Sequence, residues 1–200
     1  MTRTTVQQEF WNWFSQHEKE LFDFEVNQER IFDQLATELQ KVDLDLTFEF
    51  GPRGARREFV ISAGGIKRAF RSVSALAHAA PTLDRWHVTA FRPRRPLSNV
   101  VEFRGKRVDP QDVQFSLLDN GKVAGVYLFI PGFREDDIDL KQIGYLLLDE
   151  ALGEYDVEAR LGLIKMLSPE TKTEVNRYPL FELPTRFDQL ISQLGREHRA

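Results

Sequence analysis

Apolar residues recur at helical spacing twice before residue 45. Val6, Phe10, Trp13, Phe14, Leu21 and Phe24 form the first stripe, with Gln7, Gln8, Glu18 and Glu20 turned away from it. Phe32, Leu35, Leu39 and Val42 form the second, in a helix that starts near Gln28 behind an Asn27 N-cap. The period then changes to two. "LTFEFGPRGARREFVIS" alternates on both sides of a Gly/Pro turn and predicts a hairpin over 46–50 and 58–62. Beyond Gly64-Gly65, Ile66, Ala69, Phe70, Val73, Leu76, Ala77 and Ala80 share one helical face that Pro81 ends.

"RWHVTAFR" and "VVEFRGKRV" each predict one strand, joined by "RPRRP", because prolines do not serve a central strand. "VQFSLLDNGKVAGVYLFI" places Asn120-Gly121 between two apolar strands and predicts a tight hairpin. A helix over 137–152 follows, closed by Gly153 and apolar nearly all round, so it should be buried on more than one side. "YDVEARLGLIKML" alternates through Val157, Ala159, Leu161 and Leu163 and predicts the last strand. Phe187, Leu190, Ile191 and Leu194 mark a final helix. The expected fold is α+β: a largely antiparallel sheet of six or seven strands, helices packed on it, two at the N-terminus and one at the C-terminus. One domain is expected over 1–200.

Composition alters this picture little. Apolar residues make up 42% and charged residues 29%, which suits a globular domain with a core of its own. The absence of cysteine excludes disulfides, thiolate metal sites and a cysteine nucleophile. "MTRTTVQQEFWNWF" lacks a signal-peptide core, and "VAGVYLFIPGF" is too short to span a bilayer, so a cytoplasmic protein with no membrane role is expected.

Charge changes the picture more. The net charge is −4, yet residues 1–50 hold 4 Lys/Arg against 11 Asp/Glu, residues 51–107 hold 13 against 3, and residues 108–200 hold 10 against 17. Eleven of the 13 basic residues in the middle block are arginines, the side chain suited to bidentate pairing with carboxylate or phosphate. Arg53, Arg56 and Arg57 fall at the first hairpin. Arg92, Arg94, Arg95, Arg104 and Arg107 fall in or beside "RPRRP" and the strand after it, with Lys106. Lys67 and Arg68 open the helix after Gly64-Gly65, where main-chain N–H groups favour an anion and cations oppose the helix dipole. Such a block either faces a partner or pairs with the acids of the flanking blocks.

Other chemistry is thinner. His17, His78, His87 and His198 are scattered, and the acids Glu135, Asp136, Asp137 and Asp139 read as a helix start, so no metal and no cofactor is expected. Hydrolase elbows, zinc-protease and phosphate-loop motifs are missing. In "LLLDEALGEYD", Asp149 sits on an apolar helix face with Glu150 and Glu154 close in sequence, the candidate carboxylates for acid/base work. Trp11 falls off the core stripe and is the candidate exposed aromatic.

"GYLLLDEALGEYDVEARLGLI" and "LTFEFGPRGARREFVISAGGI", together 42 of the 200 residues, resemble a bacterial family of uncharacterised single-domain proteins. The resemblance implies a bacterial cytosolic origin and the same α+β domain, and carries no catalytic residue, cofactor or partner. The residues themselves favour a non-enzymatic binding or regulatory domain that meets a protein partner through its arginines. Nucleic acid is the less favoured ligand, because no recognisable motif accompanies the basic block. The alternative is an enzyme or ligand-binding protein acting on a small phosphate- or carboxylate-bearing molecule, with Asp149, Glu150 or Glu154 as its acids. Oligomeric state is not encoded legibly.

Overall fold

The computed structural model describes residues 4–121 and 123–197. It divides into two compact units, Met1–Arg92 and Pro93–Ala200, so the boundary falls inside "RPRRP". Each unit has its own cluster of buried side chains.

In the first unit, α1 (Val6–Gln16) starts at a capping box: the Thr5 hydroxyl accepts from the Gln8 N–H, and the Gln8 side chain accepts from the Thr5 N–H. The helix pauses at His17 before α2 (Glu18–Phe22), so the first expected stripe is delivered by two helices. Its core residues also differ. Trp11 is only 3% exposed and donates its indole N–H to the Leu76 carbonyl at 2.8 Å, while Trp13 is half-buried and stacks on His17. The long-range carbonyl partner decides which tryptophan turns inward, and helical spacing does not record it.

In α3 (Gln28–Val42), Ile31, Leu35 and Leu39 are buried and Phe32 and Val42 pack at the core edge. Asn27 occupies the cap position but its side chain makes no capping hydrogen bond. The expected hairpin forms as β1 (Thr47–Phe50) antiparallel to β2 (Arg57–Ser62). A 3-10 turn over Lys67–Ala69 leads into α4 (Phe70–His78), leaving Ile66 exposed and off the buried face expected for it. The chain returns as β3 (Trp86–Ala90), parallel to β2, giving a three-stranded sheet β1-β2-β3. Phe59, on central β2, packs among Phe10, Trp11, Phe14, Phe50 and Trp86.

In the second unit, the expected strand "VVEFRGKRV" is a hairpin of its own, β4 (Val101–Phe103) with β5 (Lys106–Val108). Arg104 and Gly105 take φ of 49° and 80°, the pair of left-handed residues that a two-residue turn requires. The hairpin β6 (Gln114–Asp119) with β7 (Ala124–Phe129) forms as expected, with Gly121 at φ 80° in its turn. Next, α5 (Ile138–Leu152) is capped by the Asp137 carboxylate accepting from the Leu140 N–H, and ends at Gly153.

Residues 154–160, expected to begin the last strand, form α6 (Glu154–Arg160) instead. Acids in its first turn and Arg160 in its last complement the helix dipole, and Val157 is buried. The strand starts later, as β8 (Leu161–Leu167), parallel to β7. A short β9 (Tyr178–Pro179) precedes α7 (Leu183–Glu197). The second sheet is β4-β5 and the third runs β8-β7-β6-β9.

Among the described residues the protein is therefore α+β, with seven α-helices and three small sheets. A single sheet of six or seven strands does not form. Two separate cores and the proline-broken boundary divide the strands, and two of the pairings are parallel. Among the described residues no helix is long and apolar enough to cross a membrane.

Candidate functional site

In the first unit, Arg57 has no exposed surface; its guanidinium forks onto the Glu25 carboxylate and lies over the Phe24 ring, 4.5 Å from the centroid. Arg53 pairs with Asp23 at 2.7 Å, Arg68 with Asp45 at 2.6 Å, and Arg92 with Glu49. Arg85, outside the candidate set, grips Glu18, which also accepts from the Trp86 indole. Arg56 donates to two carbonyls, Leu83 at 2.9 Å and Trp86 at 2.7 Å. Lys67 is exposed and has no acid partner among the described residues. Beside it, the Gly64 N–H already donates to the Ser62 hydroxyl, and Lys67–Ala69 is a 3-10 turn, so no regular helix N-terminus opens there.

In the second unit, Arg94 bridges Asp156 and Asp188, both at 2.8 Å, and donates from Nε to the Leu152 carbonyl. Both carboxylates strengthen the charged form and raise its pKa further, while Asp188 is held below the usual carboxylate range. The Arg95 N–H donates to the Glu150 carbonyl at 2.7 Å. On the β4–β5 hairpin, Arg104 lies 3.7 Å from Asp139, Arg107 lies 3.5 Å from Glu102, and Lys106 meets Asp137. Arg53, Arg57, Arg68, Arg85, Arg92, Arg94, Arg104 and Arg107 are thus each matched with an acid of their own unit.

None of the candidate acids Asp149, Glu150 and Glu154 lines the groove described below. Glu154 is fully buried as the first residue of α6. Glu150 is half-buried; its Oε2 has no hydrogen-bond partner, and burial raises its pKa against the opposing pull of Arg95. Asp149 is half-buried, and its main-chain carbonyl accepts from Gly153. His17 touches the Trp13 carbonyl, His78 ends α4, His87 is exposed on β3, and His198 lies outside the described residues. Among the described residues no group of three His, Cys, Asp or Glu could hold a metal ion.

An opening exists elsewhere, and sequence reasoning missed it. β8 is an outer strand of its sheet, and no strand pairs with its far edge among the described residues. Beside that edge lies a groove of about 400 Å³. Ile164, Lys165, Met166 and Leu167 line it consecutively, so the groove follows the strand's main chain rather than one of its faces. Lys141 and Tyr145 of α5 form the opposite side, and Phe133, Glu135, Ser168 and Thr171 close its end. Phe133 follows β7 and Ser168 follows β8, so the groove sits at the carboxyl ends of two parallel strands, where α/β sheets tend to place ligands. Neither Lys141 nor Lys165 pairs with an acid among the described residues; Lys165 instead lies over Tyr127, 5.9 Å from the ring centroid. Leu163 and Tyr145 are 47% and 42% exposed, large apolar side chains left in water beside an open edge. The only hint in the sequence is "LGLIKML", a strand apolar on both faces with one lysine.

Set against protein-family models, curated proteins and solved structures, the chain matches none of them.

Proposed function

We propose that this is a non-enzymatic binding protein that recognises a protein partner, and that it does so through the open edge of β8. The observation that carries the reading is that edge itself. Four consecutive residues of an apolar outer strand line a groove, with exposed Leu163 and Tyr145 beside it. An unpaired strand edge is a template for another extended chain, and proteins without a use for one usually shorten, bend or charge it.

What supports moving the recognition surface from the arginines to β8 is the arginines' own pairing. A partner drawn to Arg53, Arg57, Arg68, Arg92 or Arg94 would have to displace an acid already held there. The lysines of the groove face no such competition. A second reading, a small carboxylate- or phosphate-bearing ligand in the same groove, draws on its volume of about 400 Å³, which falls in the range of small-molecule sites.

The test is selection of binders from a library of short random peptides, followed by binding to the Ile164→Pro variant. Proline removes one outward N–H and is tolerated at a sheet edge. Binders that lose at least about tenfold in affinity, ~1.4 kcal/mol, on Ile164→Pro support strand recognition. A library that yields no binder sensitive to that substitution overturns it.

A further inference from the structure

We infer that the partner segment adds to β8 as a fifth strand and carries two adjacent carboxylate side chains, one for Lys141 and one for Lys165; this rests on the strand-edge reading above. The main chain supplies the first part of the argument. The Leu167 carbonyl accepts from the Ile130 N–H at 2.9 Å, so the main-chain groups of Leu167 face β7. Hydrogen-bonding groups alternate sides along a strand. Those of Lys165 therefore also face β7, and those of Ile164 and Met166 face outward. No strand meets them among the described residues.

The side chains supply the second part. Met166 lies against Gly144 of α5, so Ile164 and Met166 belong to the face that α5 covers. Lys165 sits opposite Tyr127 in the β7–β8 register and over its ring, on the other face. Lys141, on α5, belongs to the covered side. Lys141 and Lys165, neither paired with an acid among the described residues, thus lie on opposite faces of the sheet, and the long side chain of Lys165, now over Tyr127 of β7, can swing to the open edge. Neighbouring residues of an extended chain also point to opposite faces. Two consecutive acidic residues would answer both lysines at once, with apolar neighbours against Tyr145, Ile164 and Phe133. Glu135 at the end of the groove sets a limit, disfavouring an acid there.

The irregularity at the start of β8 fixes where the added strand lies. The register shifts between Ala124 and Gly125, so Gly162 is the extra residue and the edge is regular only from Leu163 onward. A second copy of this chain is a poorer occupant. Two β8 strands paired antiparallel would bring the two Lys165 side chains together, and like charges across strands are destabilising.

The experiment uses the full chain with an acetylated, amidated peptide, Val-Thr-Val-Glu-Glu-Val-Thr-Val, and its counterpart with Lys-Lys at the centre. Binding is read by fluorescence anisotropy, and the edge by amide hydrogen exchange. The Glu-Glu peptide is expected to bind at least about tenfold tighter, ~1.4 kcal/mol, and to weaken as salt rises. It should slow exchange at Ile164 and Met166. Lys141→Glu and Lys165→Glu should each reduce the preference, and the double variant should reverse it. Equal binding of both peptides, absence of binding, or exchange protection elsewhere overturns the inference. So does a concentration-dependent dimer that protects the same two amides without peptide. Library binders that depend on Ile164 but lack adjacent acids would overturn the acidic pair alone and leave the strand-edge reading standing.

Discussion

A guanidinium with no exposed surface, such as that of Arg57, must find its counter-charge inside or at the rim of the protein. Glu25 supplies it from the rim, where its carboxylate is half-exposed, and the Phe22 and Phe24 rings supply the walls. This asymmetry makes a testable order of effects. Arg57→Ala empties the space between the rings and should cost about 2–4 kcal/mol in urea unfolding, the scale of a large-to-small core change. Arg57→Met keeps most of the volume and lets Glu25 return to water, so it should stay within about 1 kcal/mol of the parent. Glu25→Gln, the smallest change of the three chemically, leaves a buried cation without its anion and should cost more than Arg57→Met. Glu150 is the opposite kind of residue. Burial raises its pKa above the ordinary 4.5, so the stability it contributes is present below that value and lost as pH rises through the raised one. Glu150→Gln should therefore raise the melting temperature at pH 7 by up to about 2 °C, and the gain should vanish below pH 4.5.

The elements that local rules specify were legible in the sequence, and those that depend on a distant partner were not. The β6–β7 hairpin and α5 carry their own punctuation, a turn glycine in one case and Asp137 with Gly153 in the other. The 154–160 segment satisfies helix and strand periods together, and only the cap at Gly153 and the dipole-matched charges favour α6. The β4–β5 turn was hidden because Arg104 occupies a left-handed position that arginine seldom takes. Trp11 and Trp13 exchanged roles for want of one remote carbonyl. The groove went unseen for the same reason: Lys141 and Lys165 are 24 positions apart and line one groove only because α5 crosses over β8. That crossing is close. A Cβ on Gly144 would come within 2.5 Å of the Met166 sulfur and 3.1 Å of Ile130 Cδ1. Gly144→Ala gains about 1 kcal/mol of helix propensity and crowds only the flexible ends of Met166 and Ile130, so the two effects should nearly cancel and leave stability within about 1 kcal/mol of the parent. Met166→Ala in the same chain should relieve the crowding, giving a non-additive double-mutant cycle measured by thermal unfolding.

At the scale of the whole molecule, the three charge blocks read along the sequence dissolve at the structural boundary. Residues 1–92 hold 12 Lys/Arg and 13 Asp/Glu, and residues 93–200 hold 15 and 18, so each unit is close to neutral. The acidic start of the chain pairs with basic residues after position 51, and the acidic end pairs with residues 94–107. Much of the basic block is engaged in long-range pairing within its own unit. Such pairs respond to pH in a defined direction. Arg30 and Arg57 hold Glu20 and Glu25 below the ordinary 4.5, while Ser72, Lys106 and Arg94 hold Asp43, Asp137 and Asp188 below 3.8. A carboxylate with a lowered folded pKa contributes its full stability above its unfolded value, and loses it as pH falls through the folded one. Urea midpoints should therefore be flat with respect to these acids above pH 5 and fall steeply below about pH 4. The same descent should appear in fragments 1–92 and 93–200 prepared separately, because each keeps its own core and its own pairs. A fragment that is unfolded at pH 7, or one whose midpoint does not fall with acid, would show that the pairing is not confined to its unit.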